Sequence, residues 1–453
     1  MNLLNETHDP ARRSWVASAN DGATDFPIQN LPFGVFQRLG GVPQGGVAIG
    51  DQIVDLRVAI ALGLFEGEAL VAAGAAAGSD LLPLLTLGTG AASRLRARLS
   101  AILAADSDIC PEALLVPQGD VAMLLPTRVR HFTDMCASTY HIGRFAGCDE
   151  RGEPICPPVF RTVPVGYDGR AGSVVVSGTP VNRPNGTWRE KLDSGDLRFG
   201  PEPFQDYELE MGIWFGGAGN TPGEPMSMAA ASTAVFGLCL LNDWSSRGIQ
   251  LWENMLGPFL GKSLATTVSP WIVTAEALAP FRTNAMPRPH GDPAVPWHLD
   301  LDDDQSSGGF DITLETWLDS RAMRAAGFPD ARICQTNFRH MYWTAAQMLA
   351  HHASNGCGLA PGDLVGSGTC SGPELEAAAC LFERLATGPL ALPGGEQRTW
   401  LEDGDRITLR GRATREGFVS IGFGSAAGDL HAAPSWPGAT TGQAENSLYQ
   451  PAD

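Results

Sequence analysis

The chain is 453 residues long, 43% apolar, and carries a formal net charge of -19. That length suits one large or two modest domains with a full core, and 54 glycines with 33 prolines favour a turn-rich, strand-rich fold over a helical bundle. So negative a chain argues against nucleic acid or an anionic membrane as partner, because phosphates would be repelled.

Residues 1–25 are polar and read as a loose N-terminal extension, without the apolar stretch of a signal peptide. A first unit spans 26–126. In it Gly34-Val35-Phe36 and the run Val47 to Leu56 alternate around Gly50-Asp51, which predicts a β-hairpin. The apolar run Ala59 to Gly78 is broken by Glu66 and Glu68 and does not read as a membrane span. Leu82 to Ala105, with Arg94, Arg96 and Arg98, predicts one helix.

The second unit spans 127–431. Strands are expected at Val174–Val176, Leu209–Phe215, Ile272-Val273, Phe310–Leu318 and Arg406–Gly411. A helix is expected from Asn337 to Ala353, capped by Thr336 or Asn337 and closed by Gly356. Strands lead, so the class is mainly β with helices (α+β). The Pro-, Gly-, Ser- and Thr-rich end, 432–453, reads as a disordered tail. Nine scattered cysteines form no CxxC pair, which fits a reduced, cytoplasmic protein and no zinc ribbon.

Several local patterns carry chemistry. Asp243, Arg247 and Gln250 are spaced i, i+4, i+7 and would share one face of a helix. Glu208 and Glu210 alternate in a strand-like run and would point to one side. Gly257 to Ser263 is one residue short of a P-loop and is rejected as one. Asp300 to Asp311 has Gln305 where a calcium loop needs Gly, and reads as a solvated acidic loop. His351-His352 ends a helix and reads as structural.

Longer motifs, all in one order, resemble the fumarylacetoacetase family of full-length, two-domain type. They are FPIQNLPFGVF, GVAIGDQIVDL, VPVGYDGRAGSVVVSGTPV, YELEMGIWFG, NDWSSRGIQLWE with GPFLGKSLATTVSPW, NFRHMYWT, PGDLVGSGTCSGPE and TWLEDGDRITLRG. The resemblance implies an SH3-like N-terminal barrel followed by a mixed β-roll, and a homodimer. It implies metal-dependent hydrolysis of a carbon–carbon bond in a 1,3-diketo acid, either fumarylacetoacetate, at the end of tyrosine degradation, or a related acid with a different acyl tail.

On matching positions, the resemblance makes Asp134, Glu208, Glu210 and Asp243 metal ligands. Lys262 and Thr266 belong with a second, magnesium-like site that shares Asp243. An all-oxygen set selects calcium or magnesium, or else manganese, over zinc. His141 becomes the general base and Glu383 its orienting carboxylate. Arg247, Gln250 and Lys262 stabilise the oxyanion. Tyr167, Gln250 and Thr369 contact substrate.

Three contact positions depart from the pattern. Cys136 and Asn254 stand where tyrosines are usual, and Glu150 where an arginine is usual, with Arg151 and Arg144 nearby. These changes imply a rebuilt acyl-tail pocket that favours a neutral or bulkier tail. The competing readings are a divergent member that decarboxylates or tautomerises an oxo acid, and a catalytically silent binding protein. Ser245 or Ser246 as nucleophile is a further rival, but neither sits in a G-x-S-x-G elbow.

Overall fold

In this computed structural model, which describes residues 4–147 and 155–437, Gly50 turns the chain at φ 56. The turn joins two of three antiparallel strands, Phe33–Arg38 (β1), Gln44–Ile49 (β2) and Gln52–Asp55 (β3), so the expected hairpin is present. Leu115–Pro117 (β4) and Val121–Leu124 (β5) complete a sheet of order β4-β3-β2-β1-β5. Four helices cover it: Leu56–Ala61 (α1), Gly67–Ala76 (α2), Leu82–Leu87 (α3) and Thr89–Leu103 (α4). The single helix expected over 82–105 is therefore two. Gly88, at φ 79, donates to Leu84 O and Leu85 O and ends α3, a conformation that costs glycine little.

Residues 4–25 are not a loose extension. Ser14 Oγ donates to Leu103 O (2.7 Å) and Trp15 Nε1 to Ile102 O (3.0 Å). The Arg96 guanidinium, fully buried, donates to Asn30 O, Gln29 O and Thr7 Oγ1. Burial pulls it down to about 10, against the Glu276 carboxylate. One arginine in α4 thus ties Thr7 of this segment to Gln29 and Asn30 after it, and periodicity could not show that its side chain points inward. Arg96→Ala should cost about 3 kcal/mol or more, because three buried acceptors lose their donor. Urea unfolding checks this, and a loss under about 1 kcal/mol would show that the segment is anchored elsewhere. Farther on, Gly422 N donates to Asp25 O and Asn30 Nδ2 to Gly422 O, both at 2.8 Å.

The second unit is built on strands Phe132–Met135 (β6), Gly166–Asp168 (β7), Val174–Val176 (β8), Leu209–Phe215 (β9), Val235–Asp243 (β10) and Thr266–Val268 (β11). They continue with Ile312–Asp319 (β12), Ala331–Asn337 (β13), Leu364–Gly366 (β14), Arg406–Ala413 (β15) and Ile421–His431 (β16). The main sheet runs β7-β6-β14-β9-β10-β11-β8, and Val273–Thr274 also pairs with β10. A second sheet runs β13-β12-β15-β16 and ends on Val181–Asn182. Leu209, Met211, Ile213 and Phe215 of β9 join one core cluster, while Trp214 joins another, so β9 is buried on both faces. The architecture is mixed α+β. Helices Thr139–Ala146 (α5), Arg247–Glu253 (α6) and Ala345–His352 (α7) matter most for the site.

Some boundaries differ from expectation. Asn337 caps only a turn over Phe338–His340. The helix starts under Thr344, whose hydroxyl accepts from Gln347 N while the Gln347 side chain accepts from Thr344 N, a capping box. Ile272 bridges to Phe33 and the strand proper is Val273–Thr274. The Asp300–Asp311 segment is not merely a solvated loop: Asp302–Ser307 is helical, and the buried Asp304 accepts from Thr344 Oγ1 at 2.8 Å. A hairpin over Asn185–Lys191 and Ser194–Pro201 was not expected, since its half-exposed strands lack apolar alternation. The expected tail lies outside the described residues from 438 onward. Among the described residues no helix is long and apolar enough to cross a membrane, and eight cysteines are free.

Candidate active site

The site forms at the edge where β6, β9, β10 and β14 come together. Asp243 N donates to Glu208 O at 3.2 Å, so these two carboxylates leave adjacent strands at one level. Glu210 follows two residues on, on the same face. Gly366 of β14 is paired with both Asp134 of β6 and Gly212 of β9. A Cβ on Gly366 would lie 2.6 Å from Asp134 Oδ1 and 3.0 Å from Glu210 Oε2, so the missing side chain is what lets the two carboxylates meet. Ligand oxygens of Asp134, Glu208, Glu210 and Asp243 all lie within 4.8 Å of one another, and all four residues are buried.

Such a nest is costly unless its charge is balanced. Burial and the neighbouring Asp243 push Asp134 up to about 8. Burial and Asp134 raise Glu210 well above the ordinary carboxylate range, and burial with Glu208 raises Asp243 against Lys262. Glu208 goes the other way: burial would raise it, but Lys262 and Arg247 hold it well below. Asp134 Oδ1 and Glu210 Oε1 are buried without a hydrogen-bond partner. Orphaned oxygens on facing carboxylates, with no thiolate or imidazole among them, fit a hard divalent cation.

The cations around the nest are committed. Lys262 Nζ lies 2.7 Å from both Glu208 Oε2 and Asp243 Oδ2. Thr266 Oγ1 donates to Asp243 Oδ1 at 3.3 Å. Arg247 Nη1 is 2.8 Å from Glu208 Oε1 and 3.0 Å from Gln250 Oε1, while Nε and Nη2 donate to Asp206 Oδ2. The predicted common helix face is therefore wrong in detail. Asp243 ends a strand and Arg247 begins α6, yet Glu208 and Lys262 bring them together. The Tyr167 hydroxyl lies 2.8 Å from Asp134 Oδ2 and 3.0 Å from Asp243 Oδ2, on the nest itself.

Beside the nest, α5 carries His141. Ser138 caps the helix, and its hydroxyl accepts from His141 N. His141 Nδ1 lies 2.8 Å from Glu383 Oε1. Burial would raise Glu383, but His141, Arg144 and Ser371 hold it below its ordinary range, so it stays an acceptor. The ring proton then sits on Nδ1 and the lone pair on Nε2. Thr369 Oγ1 is 3.3 Å from Nε2. Phe145 and Phe382 stack at 3.9 Å next to the imidazole and keep solvent from its flank.

Other predicted residues fall outside this group. Asn254 is exposed at the end of α6. Cys136 lies near Asp134 and Glu208, and burial raises its thiol, so it presents a small neutral group there. Glu150 and Arg151 lie outside the described residues. Arg144 is not available to replace a missing arginine, because it donates to Glu383 Oε2 and to the carbonyls of Gly372, Pro373 and Glu374. Ser245 Oγ donates to Asp243 O and Ser246 Oγ to Glu202 Oε2, so both hydroxyls are structural. Asp206 and Ser371 were missed. Asp206 locks Arg247 and accepts from Leu381 N and Phe382 N, next to Glu383. The alternation Asp206, Glu208, Glu210 was the signal that could have found it.

Buried carboxylates beside a carboxylate-held imidazole are the arrangement of a metal-assisted enzyme with a general base. The chain belongs to the fumarylacetoacetate hydrolase family. Its residues 141–429 match the family described as fumarylacetoacetate (FAA) hydrolase C-terminal, and residues 29–126 match fumarylacetoacetase N-terminal. It is 43% identical over 432 residues to the fumarylacetoacetase of Oryza sativa subsp. japonica, covering 92% of this chain and 97% of that one. It is 41% identical over 428 residues to the fumarylacetoacetases of Bos taurus and Homo sapiens, covering 92% of this chain and 98% of each relative.

Proposed function

We propose that this chain hydrolyses the carbon–carbon bond between the two acyl halves of fumarylacetoacetate, releasing fumarate and acetoacetate. The observation that carries the reading is the His141–Glu383 pair beside a nest of four carboxylates. Decarboxylation or tautomerisation has no need of such a pair.

Asp134, Glu208, Glu210 and Asp243 would hold calcium, magnesium or manganese, with Lys262 and Thr266 around Asp243, and the bound cation would stabilise the leaving enolate as a Lewis acid. The rest is the work of side chains. Glu383 fixes the Nδ1 proton and leaves the Nε2 lone pair of His141 to act as the base. Nε2 takes a proton from water as the water oxygen attacks the carbonyl. Lys262 spends two N–H donors on Glu208 and Asp243 and keeps the third for the oxyanion. Gln250 has its Oε1 fixed by Arg247, which turns its amide NH₂ outward as a second donor. Arg247, bound to Asp206 and Glu208, supports both from behind. Burial opposes the Lys262 charge but Asp243 and Glu208 raise its pKa, so Lys262 holds its proton. The imidazolium formed at His141 is therefore the acid that protonates the departing carbon.

The five-stranded antiparallel sheet of residues 26–126 supports an SH3-like first domain, followed by a catalytic domain over 127–431. A homodimer, implied by the sequence resemblance, belongs to this reading, and the free cysteines are consistent with a reducing, cytoplasmic setting. The test is turnover with added calcium or magnesium. Fumarylacetoacetate should give fumarate and acetoacetate with kcat/KM in the ordinary range, on the order of 10⁴–10⁸ M⁻¹s⁻¹. A decarboxylated or isomerised product, or no turnover of any 1,3-diketo acid, would overturn the reading. Light scattering at the mass of a single chain would overturn the dimer.

A further inference from the structure

Outside Tyr167 and Lys262 the site opens into a cavity of about 1090 Å³. One wall is apolar and exposed: Met255, Leu256, Phe259 and Leu260. The polar lining includes two carboxylates, Asp168 and Glu253, and one guanidinium, Arg170. A substrate with a carboxylate at each end that enters through this cavity leaves one of them in its mouth. Two lining carboxylates would repel it, so some cation has to offset them.

The inner cations are spoken for. Lys262 is held by Glu208 and Asp243, Arg247 by Asp206 and Glu208, and Arg144 by Glu383. Arg170 is exposed and, among the described residues, its side chain makes no hydrogen bond or ion pair. Its backbone is fixed nonetheless. Gly169 N donates to Phe132 O (2.8 Å), Ser173 N to Arg170 O (2.9 Å), and Ser173 Oγ to Ser263 O (2.6 Å), which ties this turn to the segment carrying Lys262. A free guanidinium on a braced turn, three residues after Tyr167, is placed to take a planar carboxylate in two parallel hydrogen bonds.

Resting on the diketo-acid reading above, we propose that Arg170 is the specificity-determining residue that holds the outward carboxylate of the substrate. It is the cation that offsets Asp168 and Glu253, and the apolar wall packs against the carbon chain. The acyl tail this pocket selects is then an acid, not the neutral tail that the changes at Cys136, Glu150 and Asn254 suggested.

The test compares Arg170→Gln and Arg170→Lys with the unaltered protein. KM for fumarylacetoacetate should rise roughly 10–100-fold in Arg170→Gln, the scale of one charged hydrogen-bonded pair, with kcat nearly unchanged. Arg170→Lys should recover part of the loss. A 1,3-diketo acid with an uncharged acyl tail should show no change. Equal losses on both substrates, or no loss on either, would overturn the proposal. Calorimetry with fumarate reads the same contact without turnover: binding should weaken in Arg170→Gln, and unchanged or undetectable binding to the unaltered protein and variant alike would overturn it. If no diketo acid is turned over but fumarate binding still depends on Arg170, the functional reading fails and this assignment stands.

Discussion

His141→Ala should lower kcat by roughly 10²–10⁴-fold, the usual cost of removing a general base. Glu383→Gln should cost less, because an amide oxygen can still accept from Nδ1 but brings no negative charge. The double variant should be scarcely worse than His141→Ala alone, since the two residues act as a unit. Losses that multiply would show that Glu383 works independently of the imidazole. Glu383 also accepts from Ser371 Oγ at 2.6 Å and from Arg144 Nη1 at 2.7 Å, so its replacement should lower the unfolding midpoint as well. Elemental analysis should find the cation content of both variants unaltered, because neither residue belongs to the carboxylate nest.

Exhaustive chelation should abolish turnover and destabilise the fold, and the destabilisation should grow from pH 5 to pH 8. Asp134, raised to about 8, and Glu210 and Asp243, also raised, favour the protonated form in the cation-free fold. In the unfolded chain the same groups ionise near pH ~4. Their contribution to stability is thus fully present below ~4 and is lost as pH climbs toward about 8. Glu208 is shifted downward, so its contribution is lost only on acidification, outside this window. A bound cation favours the ionised carboxylates and removes the penalty. The difference in melting temperature between loaded and chelated protein should therefore widen with pH, and a cation at about 100 times its Kd adds about 2.7 kcal/mol. Full activity in a protein shown to be metal-free, or a difference that stays constant with pH, would contradict this account.

Much of this was legible in the sequence because chemistry and local geometry coincide there. Glu208 and Glu210 alternate in a strand, and the turn at Gly50-Asp51 forms where its residues demand it. What was not legible depends on contacts distant in sequence. Asp243 and Arg247 have helical spacing, but Asp243 is claimed by its ladder with Thr266 and Glu208 before any helix can start. Asn337 is a good cap, yet the buried Asp304–Thr344 bond places the helix start seven residues later. Nothing in the helical pattern of Leu82 to Ala105 separates Arg96 from Arg94 and Arg98; it is the contact with Thr7, Gln29 and Asn30 that buries it. In each case a tertiary partner overrode a sound local preference.

The stitch between Asp25 and Gly422 has a consequence for how the protein is made. About 400 residues separate its two ends, and at ~5–20 residues per second a ribosome needs roughly 20–80 s to cover them. Every side chain assigned to the chemistry, from Asp134 to Glu383, has been synthesised before β16 exists. For the last 38 or so residues of that interval, roughly 2–8 s, the nascent chain holds a full set of reactive groups, while β15 lacks its neighbour β16 and Asn30 its acceptor on Gly422. An unpaired strand edge of this kind is what chaperones and proteases act on, so the last strand to be made is the one that closes the protein against them.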